Sequence, residues 1–443
     1  MKNYDNIASF DKMSIKTSNT DIMKSLTLRK AKTRFCKRPP VVKAYLQKKD
    51  FLYIPLAYGL SIGYKPNNFE YEECKAKSSI KLRKEQINIY DTVIKKLKTQ
   101  YTYFLNAACA TGKTIMGVHS IAELGLRTIV VLPPLKNLIG QWGIVINEFM
   151  PKAKICILGM SVNKAESKYK LKNLVKTIED ADIILTLPTA VGKICKDDIK
   201  TIGYLICDEV HKLCTENIYK NILRLRPKYA LALTATYERE DGMHILIDKM
   251  FGIDKYQVIS QKPFLVYKVN TPYTPDIEDI SDWSDIVKKL ALIEDRNNTI
   301  ADMILKDYKE GDKVLIMCFR TFHADNMWSI LEKKFKTEKF YKNNEGYKNC
   351  QILCSTFTKG GVGFDPKNAC TDGYDGVPFN KCYIISSKKK IEQIAGRVFR
   401  SNNPIIYHFV DKLSTFQKHW EICEEWYKSR NGTIKEINLI NEI

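Results

Sequence analysis

Apolar residues along this chain fall into short unbroken runs separated by stretches in which they recur every three or four positions. Ile87, Tyr90, Val93, Ile94 and Leu97 have the spacing of one helical face and predict a helix within residues 80–97. Phe104-Leu105 follows as an apolar run, and Ile115-Met116-Gly117-Val118 lies just beyond. Thr128-Ile129-Val130-Val131-Leu132, closed by Pro133-Pro134, reads as a buried strand, as do residues 153–158, 181–186, 202–207 and 229–233. Helical patterns lie between them, among them a polar, basic helix expected over 164–179. Strands alternating with helices predict a parallel α/β sheet covered on both faces. Ligands of such sheets sit at the carboxyl ends of the strands.

The pattern weakens between residues 237 and 309, where Thr271-Pro272-Tyr273-Thr274-Pro275 and the acids after it read as a linker. A second α/β unit then begins, with strands over 312–319, 350–356 and 381–386 and a helix over 324–334. Its glycine-rich turn is Lys359-Gly360-Gly361-Val362-Gly363-Phe364-Asp365. On a helix over 393–400, Gln393, Arg397 and Arg400 would share one face. The tail 420–443 is expected to pack on this unit. Four segments result: a small N-terminal basic accessory region over 1–79, a first α/β domain over 80–270, a linker over 271–295 and a second α/β domain over 296–443. In the first segment, Arg29, Lys30, Lys32, Arg34, Lys37, Arg38 and Lys43 fit a phosphate-touching arm or a solvated charged face, and the pattern leaves both open.

Charge narrows the partner. The chain has 71 Lys+Arg against 50 Asp+Glu, a net charge of +21, which favours a polyanion such as DNA or RNA. Thirteen cysteines are scattered without CxxC pairs, which speaks against a disulfide framework or a zinc site and for a reducing compartment. No apolar leader opens the chain and no run is long enough to span a bilayer, so no membrane partner is expected, and the setting is cytosolic or nuclear.

Candidate chemistry begins at Ala107-Ala108-Cys109-Ala110-Thr111-Gly112-Lys113-Thr114. A loop leaving a buried strand for a helix N-terminus aims backbone N–H groups at one spot, where a polyphosphate fits. Lys113 would reach the β- and γ-phosphates, Thr114 would ligate Mg²⁺, and Ala110, Thr111 and Gly112 would line the phosphates. A side chain at 112 would collide with them. Asp208-Glu209-Val210-His211 follows another strand; Asp208 suits Mg²⁺ and Glu209 suits a general base. Thr234 and Thr236 end the next strand, placed to bond the Asp208/His211 region. Gln86 could read an adenine edge through its amide.

In order and spacing, these segments over residues 80–411 resemble the superfamily 2 helicases and translocases. Residues 107–114 are similar to motif I, 208–211 to a DExH form of motif II, 234–236 to motif III, 356–365 to motif V and 393–400 to a QxxGRxxR motif VI. Residues 132–142 resemble motif Ia, and Thr186 is similar to a motif Ib position. Leu82-Arg83-Lys84-Glu85-Gln86 and Asp241-Gly242-Met243 look most like the transcription and transcript-release helicases of nucleocytoplasmic large DNA viruses, including poxviruses and asfarviruses. The resemblance implies two RecA-like P-loop domains with ATP and Mg²⁺ as cofactors, and nucleic acid held across both. It implies arginine fingers at Arg397 and Arg400 with Gln393 nearby, nucleic-acid contacts at Thr356, Gly360 and Gly361, coupling through His211, Thr234, Thr236 and Thr186, and a ribose contact at Asp365. DNA, single-stranded or duplex, is the expected substrate, with RNA polymerase or its transcription complex as a protein partner and a viral factory, virion or nucleus as the setting.

Three features depart from the family pattern: Ala107 stands for a glycine, Thr234 for a serine, and residues 366–380 read as an insertion. An RNA helicase is the alternative enzyme and a non-catalytic nucleic-acid clamp the alternative of another class. Cys109 lies in the phosphate loop, so a bulky thiol reagent is expected to block ATP hydrolysis and bound ATP to protect.

Overall fold

The computed structural model describes residues 20–31, 39–48, 51–64, 69–108, 111–134, 136–239, 241–258, 262–276, 282–342, 344, 346–361 and 364–439. The chain divides into two compact units, Met1–Val258 and Ile259–Ile443.

The first unit is built on strands β1 (Thr102–Ala107), β2 (Thr128–Val131), β3 (Ile155–Leu158), β4 (Leu174–Val175), β5 (Ile183–Thr186), β6 (Tyr204–Cys207), β7 (Tyr229–Thr234) and β8 (Lys255–Val258). They form one sheet in the order β8-β1-β7-β6-β2-β5-β3-β4, every pairing parallel. The inner strands β2, β5 and β6 are buried along their whole length. That is why they read as unbroken apolar runs, since a parallel strand covered on both faces has no polar side. One face is covered by helices α1 (Lys84–Gln100), α2 (Lys113–Leu124) and α3 (Lys136–Phe149), which bring Ile89, Val93, Val118, Ile121, Trp142 and Ile146 into one core.

Two expectations for this unit are corrected. The described residues of the N-terminal region are no separate accessory body: Leu26, Val42, Ala44, Leu52, Ile54 and Leu56 share the core of the other sheet face with Phe104, Leu205, Met243 and Leu246. Its residues 32–38, with Lys32, Arg34, Lys37 and Arg38, lie outside the described residues. The helix expected over 164–179 is shorter, spanning Val162–Tyr169. Lys170 and Asn173 take φ of +51° and +55°, left-handed values that end a helix, and the chain then adds β4 beside β3.

The second unit has strands β9 (Phe264–Asn270), β10 (Val314–Cys318), β11 (Thr337–Phe340), β12 (Ile352–Thr356), β13 (Lys381–Ile384), β14 (Ile405–Val410) and β15 (Gly432–Asn438). Their order is β11-β12-β10-β13-β14-β9-β15, again wholly parallel. Strand β9 moves the expected boundary from residue 270 to 258, because it pairs with β14 and β15 of this sheet. The linker over 271–295 is corrected likewise. Helix Trp283–Ala291 lies within it and buries Ile286 and Leu290 against Phe264 and Leu315. A Pro- and Asp-rich composition had masked that apolar face. The tail packs on its own unit through helix Ser414–Ser429, which buries Phe416, Trp420, Cys423 and Tyr427, and it continues into edge strand β15. Residues 366–380 also join this unit: Phe379 enters its core, and Lys313 pairs with Asp375 at 2.6 Å.

Candidate nucleotide-binding site

Strand β1 ends at Ala107, which is fully buried and pairs in register with Val258. The residue is extended backbone inside a sheet, so alanine serves where the family pattern has glycine. Cys109 and Ala110 lie outside the described residues. Thr111 donates its hydroxyl to the Ala108 carbonyl at 2.6 Å. Gly112 caps α2 with φ +91°, and a Cβ there would stand 2.1 Å from Gln86 Nε2. Both the left-handed backbone and the adjoining amide require glycine. Lys113 opens the helix, and its ammonium donates to the carbonyls of Ala107 at 2.7 Å and Ala108 at 3.3 Å. The charge thus rests on acceptors at the helix N-terminus, where a polyphosphate would offer stronger ones. Thr114 follows, half-buried.

Gln86 is 3% exposed, and both ends of its amide are engaged within the chain. Its Oε1 accepts from the Arg83 backbone N–H at 3.0 Å, and its Nε2 donates to the Thr111 carbonyl at 2.8 Å. The residue expected to read adenine thus stitches α1 to the Thr111 backbone just ahead of α2.

Strand β6 delivers Asp208, 5% exposed. Its Oδ2 accepts from the Trp142 indole at 2.9 Å and its Oδ1 from the Glu209 N–H at 2.8 Å. Burial, and then the neighbouring Glu209, lift its pKa to about 6, against the pull of the Trp142 and Glu209 N–H groups and of the Lys113 charge. A carboxylate whose ionised form is penalised by burial, standing near the phosphate-loop lysine, suits a divalent cation, which favours that form. Thr114 and Asp208 are the residues that would hold Mg²⁺, which when bound shields phosphate charge. Glu209 takes φ +46° at the start of the turn Val210–Lys212. Such a backbone in a non-glycine residue costs about 1–3 kcal/mol and collects at functional sites.

The sequence shows Trp142 only as part of the segment that resembles motif Ia, and its bond to Asp208 emerges from the tertiary structure. A lone fully buried tryptophan needs a partner for its N–H, which is the one signal available beforehand. Trp142→Phe is expected to cost about 1–3 kcal/mol by leaving a buried acceptor short of a donor, as read from urea denaturation. An unchanged midpoint would remove this role.

At the end of β7, Thr234 Oγ1 lies 2.7 Å and Thr236 Oγ1 3.2 Å from His211 Nδ1. The Glu209 carboxylate is 3.5 Å from both Thr234 Oγ1 and His211 Nδ1. Glu209, His211, Thr234 and Thr236 thus form one polar cluster beside Asp208. Thr186 stands apart from it. It is wholly buried at the end of β5 and donates to the Leu187 carbonyl at 3.0 Å.

In the second unit, Thr356 ends β12 with 5% exposure, and the turn Phe357–Gly361 follows. Gly360 is a packing glycine, because a Cβ would lie 2.7 Å from Ser355 Oγ and 3.0 Å from Met317 Sδ. Gly361 is buried as well. The resemblance implies phosphate contacts at these three positions, all of which are buried. Asp365 accepts from the Lys367 N–H at 2.9 Å and is gripped by both terminal nitrogens of Arg400 at 3.2 and 3.1 Å. Burial alone would raise its pKa, but Arg400, the Lys367 N–H and Arg397 hold it below the usual carboxylate range. The ribose contact expected of Asp365 thus meets a carboxylate already committed to Arg400. Arg397 donates to the carbonyls of Gly361 and Phe364.

The single-face helix over 393–400 is corrected. Only Glu392–Ala395 is α-helical, and Arg397 N–H to Ile394 and Ser401 N–H to Val398 are bonds of three-residue turns. Gln393 lies half-buried on the short helix, while both arginines turn onto the 361–365 segment.

Residues 79–239 match the family model described as type III restriction enzyme, res subunit. Over 420 residues the chain is 26% identical to protein 161L of Invertebrate iridescent virus 6, named as a helicase, covering 87% of this chain and 90% of that protein. It is 23% identical over 418 residues to L396 of Acanthamoeba polyphaga mimivirus, named as an ATP-dependent RNA helicase, covering 88% and 77%. It is 25% identical over 335 residues to transcript termination protein A18 of Ectromelia virus, covering 69% and 64%. Among the described residues no helix is long and apolar enough to cross a membrane.

Proposed function

We propose that this chain is a nucleic-acid-stimulated ATPase that moves along DNA, a reading supported by the family-model match over residues 79–239 and by the likeness to a viral protein named as a helicase. The observation that carries the reading is the convergence, at the carboxyl ends of β1, β6 and β7, of the Lys113 loop, the buried Asp208 and the Glu209–His211–Thr234 cluster. Lys113 would bind the terminal phosphates, Asp208 and Thr114 the cation, and Glu209 would take a proton from the attacking water. Arg397 and Arg400 would stabilise the charge that develops on the transferred phosphoryl group. The net charge of +21 supports a sequence-independent grip on a phosphodiester backbone, with strong salt dependence. Similarity to a transcript termination protein supports work in viral transcription, at elongation or transcript release.

An RNA substrate is the second reading, favoured by the likeness to a protein named as an RNA helicase. Steady-state ATPase without polymer and with single-stranded DNA, duplex DNA or RNA separates the two. Stimulation by RNA alone moves the assignment to RNA, and no stimulation by any polymer overturns the motor. Lys113→Ala is expected to weaken ATP binding by about 10-fold or more, the loss of one charge-assisted contact of about 1.5–3 kcal/mol, as measured with a fluorescent ATP analogue.

A further inference from the structure

The turn that follows β7 contributes nothing to the ATPase roles assigned above, yet it is wired into them. Arg239 spans it with its whole guanidinium: Nε and one terminal nitrogen bind Asp241 at 2.9 and 2.7 Å, and the other terminal nitrogen donates to the His211 backbone carbonyl at 2.5 Å. His211 is the imidazole on which Thr234 and Thr236 converge, 3.5 Å from Glu209. A planar fork bound at both ends fixes the direction of the group between them. Asp241 is held in turn: its side chain also accepts from the Met243 N–H at 3.1 Å, and Arg239 keeps its carboxyl below the usual range. Its backbone carbonyl accepts from the N–H of Ala31 at 2.9 Å. A Cβ added at Gly242, whose φ is +70°, would lie 3.9 Å from the Ala31 side chain, in ordinary contact. Ala31 closely follows the strand Thr27–Arg29, and nearby Leu26 is fully buried in the domain core. An unbroken series of contacts therefore runs from the N-terminal segment through Asp241 and Arg239 to His211 and Glu209.

We propose that Arg239 is a positioning residue for the Glu209–His211 pair and that Asp241 ties it to residues 27–31, so that the N-terminal segment sets the hydrolysis rate from outside the nucleotide site. The inference rests on the ATPase reading of that site. Displacing the segment would shift the 239–243 turn, and the guanidinium would carry the shift to the His211 carbonyl.

The test is a double-mutant cycle on the full chain, with steady-state ATPase in saturating polymer and thermal unfolding of each variant as a control. Arg239→Ala is expected to lower kcat about 10–100-fold while KM for ATP changes less than about threefold, the signature of a contact that matters in the transition state. Arg239→Lys, which keeps the charge but not the fork, should recover only part of that loss. In a His211→Ala background the effect of Arg239→Ala should shrink to less than about threefold, because coupled residues are not additive. Asp241→Asn and Ala31→Pro, which removes the N–H that meets Asp241, should each lower kcat with little change in KM. Full additivity of Arg239→Ala with His211→Ala, or a loss confined to KM or to thermal stability, would overturn the proposal. A wild-type chain that hydrolyses no ATP would instead overturn the reading of the site on which it rests.

Discussion

Glu209→Gln is expected to lower ATP turnover by about 10²–10⁴-fold, the range for loss of a positioned general base, with ATP binding retained. Glutamine has nearly the same shape and can still meet Thr234 and His211, which stand 3.5 Å from the carboxylate. What it loses is the ability to accept a proton. The substitution also removes a negative charge beside Asp208. Since Glu209 is one of the groups that raise the Asp208 pKa, Asp208 should ionise more readily in the variant. Affinity for Mg²⁺ and ATP should therefore stay level or improve while kcat collapses. Steady-state kinetics beside equilibrium binding of a fluorescent ATP analogue checks both halves. Turnover that survives the substitution would mean that another group activates the water, and the assignment of the site as a hydrolytic centre would fail.

Arg400→Ala should give the other large effect, about 10³–10⁵-fold in kcat if it supplies an arginine finger, with ATP affinity spared. The structure supplies a sharper comparison than that variant alone. Arg400 grips Asp365 through two nitrogens, so its removal also takes one counter-charge from a half-buried carboxylate. Asp365→Asn breaks the same pair from the other side while leaving the guanidinium in place. A finger predicts that Arg400→Ala is crippled and Asp365→Asn is active; a purely structural pair predicts that both lose activity together. Arg397→Ala is a less clean probe, because that side chain holds the carbonyls of Gly361 and Phe364.

The elements that were legible in the sequence share one property: the information lies within a few consecutive residues. Unbroken runs such as Ile183-Ile184-Leu185 and Tyr204-Leu205-Ile206-Cys207 are strands covered on both faces, and no other arrangement buries such runs so fully in an α/β unit. The loop over residues 107–114 and the Asp208-Glu209 pair stand out in the sequence because phosphate and cation chemistry needs particular residues at particular spacings. Errors arose where a local pattern had two outcomes. Residues 164–179 are polar enough for a helix, but left-handed Lys170 and Asn173 split them. Residues 393–400 suit a full α-helix, and the observed three-residue turns arise where Arg397 bonds the carbonyls of Gly361 and Phe364.

By itself, then, the sequence determined the two α/β units, the strands that carry the site, and which side chains could bind phosphate, hold a cation or move a proton. Only the tertiary structure decided which distant residues hold those side chains in place. Trp142 meets Asp208 across 66 positions of chain and Arg239 meets His211 across 28. Wholly buried Arg296 meets Asp411 across 115, at 2.6 Å. Strand β9 joins a sheet whose neighbours on either side, β14 and β15, lie far along the chain. The physical reason is the same in each case. Strand and helix formation answer to the period of neighbouring residues, whereas a buried N–H or guanidinium must find an acceptor wherever the packed sheet brings one.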